Sequence, residues 1–461
     1  MKRAALLLVC AWLAISALGL HLVVSATGSA GAVPRRQSGT VGVACVPTVG
    51  HPAPATSSSP PFAAVLQAPR PAGWVDEDLF LSCSSPEITY TTAVFVRAPA
   101  DSARASGIVA VDPLHSAGIW GMQTLLQPYF VAHGDVHIGV AASHDTVELV
   151  KRANPTRYAS LDIPATPDAT NEILAGVGVL LHQRPESLVP GVRVHDAILG
   201  GWSQTAVVTR SFISSPESRA TVNGRRVYDG YFPGQAAVGS SGGAQVGRIP
   251  DVGVPVLELQ GERELLVTIA IYGNLGYRRA DSSTYRLYEV AAMSHINNEP
   301  DNPVSAFAGS VSCDWPAGAQ PSAFRQTDIW EMAFDNLVRW VARGVAPPHA
   351  RRIQLESDGT TVERDAHGNA VGGVRSVFVD VPTTTIVPTS LAPGGVVKNP
   401  CAYVGYQLEF DASQLRQLYP THSAYVHAVA ADTGRLVRER FLLPDSAQHV
   451  VAAAQSSDVP H

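Results

Sequence analysis

The chain has 461 residues, which is enough for one large domain with additions or for two domains, and its 46% apolar and 16% charged residues fit a globular protein with a sizeable core. The formal net charge is -6 and no long basic run occurs, so nucleic acid is not expected as a partner, because phosphate binding requires clustered Lys and Arg.

The N-terminus has the pattern of an export signal. Lys2 and Arg3 precede an apolar stretch over residues 4–24, and the small residues Ala30 and Ala32 form the A-x-A pattern at which signal peptidases cut. The sequence therefore predicts a signal peptide over residues 1–32 and an exported protein, secreted or held in the cell envelope. The alternative is an uncleaved membrane tether, because about 20 apolar residues can span a bilayer.

Four cysteines remain once Cys10 is removed with the signal. An even number of cysteines in an exported chain indicates disulfides, and four cysteines allow three pairings. We favour Cys45–Cys83 and Cys313–Cys401, because each of these pairs flanks one segment. The cysteine spacing fits no zinc pattern, and no metal site is predicted.

Strand and helix signals alternate through most of the chain. Residues 33–84 are interpreted as an irregular, Pro- and Ser-rich N-terminal segment. The predicted strands that follow cover residues 88–96, 107–111, 136–141, 197–199, 254–259 and 285–290. The predicted helices cover residues 120–133, 145–152, 168–182, 203–212 and 324–342. This alternation predicts an α/β core over residues 85–349, with a mainly parallel central sheet and helices on both faces.

The C-terminal part of the chain has a different pattern. Residues 365–373 contain Gly-rich turns, a Pro- and Thr-rich stretch follows, and helical signals return at residues 412–419 and 445–454. We interpret residues 350–461 as an accessory segment that packs on the core.

The sharpest chemical signal is Ser203. A buried strand, a tight glycine turn and a helix follow one another around it, which is the setting of a nucleophile elbow. Gly201 is small, as the turn requires, whereas Thr205 stands where glycine is usual. The backbone N–H of Gln204 is then a predicted oxyanion-hole donor, because it lies at the positive end of the helix. The competing interpretation is that Ser203 merely caps the helix.

A nucleophilic serine needs a base, and the base needs an acid that orients it. His295 follows the strand at residues 285–290 and is the predicted base, the alternative being a structural loop histidine. Glu264 lies three residues after Gly261, at the end of the preceding strand, and is the predicted acid, with Glu262 as the alternative.

A second oxyanion donor is expected from the loop that follows the strand at residues 107–111. The backbone amides of Leu114 and His115 are the candidates. The His115 side chain could instead touch the substrate, and an ordinary turn is the competing interpretation.

With these residues in place, the chain resembles a family of exported bacterial proteins known as the alpha/beta-hydrolase domain family, from about residue 85 to the C-terminus. The matching pieces are residues 111–115, 201–204, 257–264, 286–290 with His295, 340–348 and 367–375. The resemblance implies the α/β-hydrolase fold and places Ser203 and His295 on the expected motifs. It implies no substrate.

We therefore expect a carboxylic ester hydrolase that acts through an acyl-enzyme on Ser203, without a metal or organic cofactor, on a small-molecule or lipid-like ester. An amidase or peptidase that uses the same residues is one alternative, and a non-catalytic binding protein on the same scaffold is another. The Ser, Glu, His order along the chain favours an enzyme.

Overall fold

The protein is described here as a computed structural model that covers residues 42–62, 69–236, 247–300, 302–390 and 400–460. The predicted signal peptide at residues 1–32 lies outside these ranges. Within them, no helix is both long enough and apolar enough to cross a bilayer.

A nine-stranded sheet forms the centre of the molecule. Its strands are β1 (Thr48–Gly50), β2 (Trp74–Ser84), β3 (Thr89–Pro99), β4 (Ile108–Pro113), β5 (Val136–Val140), β6 (Asp196–Trp202), β9 (Gly230–Gly234), β10 (Val256–Gly261) and β11 (Tyr285–Val290). They lie in the order β1-β2-β3-β5-β4-β6-β9-β10-β11. The pairs from β1 to β5 are antiparallel and the pairs from β5 to β11 are parallel, which confirms the predicted mainly parallel sheet.

In the described ranges, five shorter strands lie outside this sheet. They are β7 (Thr221–Val222), β8 (Arg225–Arg226), β12 (Gln320–Pro321), β13 (Thr384–Val387) and β14 (Tyr406–Glu409). The helices are α1 (Gly121–His133), α2 (His144–Ala153), α3 (Pro167–Gln183), α4 (Gln204–Ser214), α5 (Glu262–Tyr272), α6 (Ser305–Ser310), α7 (Gln326–Arg343), α8 (Val377–Asp380), α9 (Ala412–Leu418), α10 (His422–Glu439) and α11 (Pro444–Ser456).

Helices cover the sheet on both faces. Val109 and Val111 of β4 share one apolar core with α2, α3 and α4, whereas Ile108 and Ala110 share another with α1 and α7. Successive residues of a strand point to opposite faces, so this alternation places β4 in the middle layer of three. It also explains the fully buried run of β4, because a parallel strand in such a sheet has no solvent face.

The interpretation of residues 33–84 as irregular is wrong at two places, because residues 48–50 form β1 and the last part forms β2. Residues 74–84 form β2, which pairs along its whole length with β3. The exposed residues Asp76 and Glu77 obscured its apolar alternation, although Leu79 and Leu81 are buried. The core sheet therefore begins before residue 85.

The C-terminal segment is joined to the core at several points. Val374 forms a parallel bridge with Val290, at the end of β11, and Val404 forms one with Ile296. The helices α9, α10 and α11 have a small apolar core of their own, to which α8 contributes Val377. The long helix α10 was not predicted from the sequence.

Both predicted disulfides are confirmed. Cys45 is bonded to Cys83 and ties the N-terminal stretch to β2, while Cys313 is bonded to Cys401 across 88 residues of sequence. The second bond fixes the chain immediately before Ala402, whose position bears on the site described next.

Candidate active site

Ser203 lies at the tip of the turn between β6 and α4. Its backbone has φ 59° and ψ -122°, a conformation that costs free energy for any residue other than glycine. The side chain makes no capping hydrogen bond to the helix, so the interpretation of Ser203 as an ordinary helix cap does not describe this turn. Instead, its Oγ faces His295 and is partly exposed to solvent.

The departure from glycine at position 205 has a structural explanation. A Cβ atom on Gly201 would lie 2.5 Å from the backbone of Thr205, so position 201 must be glycine. The Oγ1 of Thr205 accepts a hydrogen bond from the Trp202 amide at 3.0 Å and donates one to the Trp202 carbonyl at 3.0 Å. Threonine therefore fits here because its hydroxyl closes the turn.

His295 lies on the loop after β11 and contacts both partners that a catalytic base needs. Its Nε2 is 2.8 Å from the Ser203 Oγ, and its Nδ1 is 2.7 Å from the Oε1 of Glu264. The imidazole stacks on the Trp202 indole with ring centroids 4.9 Å apart. Ser203, His295 and Glu264 therefore form one continuous line of hydrogen bonds.

Glu264, and not Glu262, contacts His295. Glu264 lies in the first turn of α5, and its Oε2 accepts the Gly261 amide at 3.1 Å. The Glu262 carboxylate points elsewhere: it accepts the Ala292 amide at 2.7 Å and pairs with Arg364 at 2.5 Å. The structure thus separates the two candidate acids, and Glu262 supports the loop on which His295 lies.

The protonation states follow from burial and from neighbouring charge. Burial lowers the pKa of His295 below its ordinary value, and this outweighs the opposite effect of the Glu264 carboxylate. Burial alone would raise the pKa of Glu264, but its hydrogen bond to His295 and the nearby Arg263 lower it overall. At neutral pH the imidazole is neutral and the carboxylate is charged, which is the state of a general base and its orienting acid.

Arg263 joins the acid to the C-terminal segment, a role that the sequence did not indicate. Arg263 donates from Nη1 to the Glu264 Oε1 at 3.2 Å and from Nε to the Ala402 carbonyl at 2.9 Å, and its guanidinium lies 4.8 Å from the Tyr403 ring centroid. The Ile296 amide also donates to the Tyr403 carbonyl at 2.9 Å. Through these contacts the C-terminal segment braces both the acid and the histidine loop.

A buried glutamine connects the elbow to the histidine loop. The Oε1 of Gln235 accepts from the Trp202 indole N–H at 2.9 Å, and its Nε2 donates to the Ser294 carbonyl at 2.9 Å. A buried carboxamide that spans two loops restricts the motion of both. The sequence offered no signal for this role, and β9 (Gly230–Gly234), which ends immediately before Gln235, was not predicted either.

The predicted oxyanion donors are only partly supported. The Gln204 amide, in the first turn of α4, donates no hydrogen bond to the described residues and remains open, as expected. The predictions for the backbone of Leu114 and His115 are wrong. The Leu114 amide donates to the Val140 carbonyl at 2.8 Å and the His115 amide donates to the Ile119 carbonyl at 3.0 Å, so neither is available to a substrate.

The sequence matches the model of a family described as the alpha/beta hydrolase domain over residues 49–452. No curated protein matched the chain.

Solved structures also matched the chain, and the three that follow are distant from it. A provisionally assigned dienelactone hydrolase from Klebsiella pneumoniae is 13% identical, with 58% of this chain and 99% of that chain covered and a TM-score of 0.31. A thermostable esterase from Pseudomonas putida is 10% identical, with 35% and 44% covered and a TM-score of 0.23. A fungal esterase from Rhizomucor miehei is 11% identical, with 36% and 45% covered and a TM-score of 0.23. The chain spans less than half the length of these esterases.

Proposed function

This chain belongs to the family of alpha/beta hydrolase domains, and from that premise we propose that it is an exported serine hydrolase that cleaves carboxylic esters. The observation that carries the proposal is the line of hydrogen bonds from Glu264 through His295 to Ser203, with Ser203 at a strained turn. A serine beside a neutral, oriented imidazole is the arrangement that activates a hydroxyl as a nucleophile.

The reaction would proceed in two balanced steps. The Ser203 Oγ attacks the ester carbonyl carbon while His295 Nε2 accepts its proton, and Glu264 stabilises the imidazolium. The tetrahedral intermediate collapses to an acyl-enzyme, and His295 returns the proton to the departing alkoxide, which leaves as the alcohol. Water then attacks the acyl-enzyme through the same base, which releases the acid and restores Ser203.

Small-molecule esters are the proposed substrates because the nucleophile is partly exposed and the strand-end position of the site suits small ligands. Export is proposed because the two disulfides are characteristic of oxidising compartments. N-terminal sequencing of the protein recovered outside the cytosol would test the predicted cleavage after residue 32, because a membrane tether would retain Met1.

The test of the catalytic proposal is labelling with a fluorophosphonate probe, followed by peptide mass mapping. The probe phosphonylates a serine that its base already activates. We expect the label on Ser203, and we expect its loss in Ser203→Ala and in His295→Ala. Ser211→Ala, which removes an exposed hydroxyl from the same helix, is the matched control and should label as the wild type does.

Turnover assays on the same wild-type and variant proteins distinguish the competing functions. Turnover of p-nitrophenyl esters and not of the matching anilides would support an esterase, whereas turnover of the anilides would favour an amidase or peptidase. A folded wild-type protein that neither labels nor turns over either substrate would leave a binding protein on this scaffold.

A further inference from the structure

In the described loop at residues 114–117, no backbone amide is free to act as a second oxyanion donor beside that of Gln204. Hydrolysis through an acyl-enzyme develops negative charge on the carbonyl oxygen, and preorganised donors stabilise it. The Gln204 amide is one such donor. Four consecutive amides on the opposite loop are already used inside the fold, with acceptors at 2.8–3.0 Å: those of Leu114, His115, Ser116 and Ala117.

One of these bonds fixes the tautomer of a histidine. The Ala117 amide donates to the Nδ1 of His115 at 3.0 Å, so Nδ1 is an acceptor and carries no proton. Burial, and then the charge of His295, lowers the pKa of His115 to about 4, so its ring is neutral at pH 7. The single ring proton must therefore lie on Nε2, which makes Nε2 a hydrogen-bond donor.

The His115 ring lies close to the elbow. Its ring centroid lies 6.5 Å from that of Trp202, which in turn stacks on His295. The neighbouring Ser116 is fastened to the residue after the nucleophile, since its amide and its hydroxyl both donate to the Gln204 Oε1, at 2.9 and 2.7 Å. The loop that carries His115 is thus held directly against the turn at Ser203.

The Nε2 of His115 is also unoccupied. Although only 6% of the residue is exposed, Nε2 donates no hydrogen bond to any residue that the structure describes, and yet it is not sealed inside the protein. A buried, rigid ring with one free donor that opens onto accessible space is suited to a ligand oxygen.

We propose that the Nε2–H of His115 is the second donor of the oxyanion hole, opposite the backbone amide of Gln204. The inference rests on the proposed function and adds a catalytic residue to it. A neutral imidazole donates this hydrogen bond without exchanging a proton with the intermediate, so His295 remains the only base in the reaction.

Kinetics of a substitution test this assignment. His115→Leu removes the donor, and we expect kcat on a p-nitrophenyl ester to fall about 10²–10³-fold while KM changes little, because the bond strengthens in the transition state. His115→Gln keeps an N–H donor and restores part of the loss. His133→Leu, the same substitution at an exposed position on α1, is the matched control and leaves kcat unchanged.

A rival donor is the Ser116 amide, which would become free if the Gln204 side chain turned away. Gln204→Ala releases that amide. The assignment to His115 is overturned if Gln204→Ala keeps a high kcat and the kcat of His115→Leu also remains within about threefold of the wild-type value. A rise in KM without a fall in kcat for His115→Leu would overturn it as well.

Failure of this assignment and failure of the proposed function give different results. An active wild type with an equally active His115→Leu variant removes only the role of His115, whereas a wild type that neither labels nor turns over removes both. Should His115→Leu not fold, ¹⁵N NMR of the histidines in the wild-type adduct with a trifluoromethyl ketone decides the question. If the ring proton of His115 lies on Nε2 and is protected from solvent exchange in the adduct, the assignment is supported. A ring proton on Nδ1 refutes it.

Discussion

The Tyr403 ring lies 5.5 Å from the ring of His295, centroid to centroid. This contact brings the C-terminal segment to the proposed base, and Arg263 extends it to the acid, because the Arg263 side chain contacts Tyr403, the Ala402 carbonyl and Glu264 together. The segment therefore takes part in shaping the site, beyond packing on the core.

Opening the disulfide beside this contact should weaken catalysis. Cys313→Ser with Cys401→Ser frees the chain immediately before Ala402, so we expect lower stability by ~2–5 kcal/mol and a lower kcat in the molecules that remain folded. Thermal unfolding and ester turnover, both followed at a temperature at which the variant is folded, give the two quantities.

The other disulfide supplies the control. Cys45→Ser with Cys83→Ser should reduce stability without a comparable loss of kcat, since this bond joins the N-terminal stretch to β2. Equal losses of kcat in the two double variants would mean that the Cys313–Cys401 bond has no particular connection with the site.

Substitution of the two buried glutamates should separate their roles. Glu264→Gln keeps the shape but removes the charge that orients His295, and a loss of about 10⁴-fold in kcat is expected by analogy with other triads. Glu262→Gln weakens the contacts to Ala292 and Arg364, and should mainly lower the melting temperature. Steady-state kinetics and thermal melts of both variants check this, and the reverse ranking would make Glu262 the acid.

The sequence was sufficient to pick out the candidate nucleophile, base and acid, which the structure brings into hydrogen-bond contact, because each follows a strand within a few residues. Ser203 follows β6, Glu264 follows β10 and His295 follows β11, so local pattern and chain order identified them. The parallel core and its two helical layers were predictable for a similar reason, since strand and helix signals alternate along the chain.

The sequence could not predict the features of the site that depend on contacts between distant segments. Whether the Leu114 amide is free is decided by Val140, which lies on a neighbouring strand and takes that hydrogen bond. The approach of Tyr403 to His295 likewise depends on how the C-terminal segment returns to the core. Periodicity and motif spacing do not predict contacts between distant segments. The roles of Arg263 and Gln235 were therefore found only in the structure.

The hydroxyl of Thr205 should matter more to the fold than its methyl group. Thr205→Val leaves the buried Trp202 amide without its acceptor, which we expect to cost ~1–3 kcal/mol of stability, whereas Thr205→Ser keeps both hydrogen bonds and should lie within about 1 kcal/mol of the wild type. Chemical denaturation of the two variants measures the difference. Equal stabilities would mean that the hydroxyl does not close the turn.

The pH dependence of ester turnover should reflect the lowered pKa of His295. The base must be neutral to accept the Ser203 proton, so kcat/KM falls as the pH drops through the pKa of His295. Because burial lowers that pKa, we expect the acid limb of the profile to lie below pH 6.5. Glu264 opposes this shift and Arg263 adds to it. Burial lowers the pKa of the neighbouring His115 to about 4.

Removal of the Arg263 charge should move this limb. Arg263→Gln deletes a cation that disfavours the imidazolium, so the pKa of His295 should rise and the limb should shift to higher pH. Arg339→Gln, at an exposed arginine that pairs with Asp335, is the control and should leave the limb in place. Profiles of kcat/KM from about pH 4 to 9 give the comparison, because the limb reports the free enzyme. An unshifted limb with a uniformly lower rate would show that Arg263 acts only by holding Glu264 and the C-terminal segment in place.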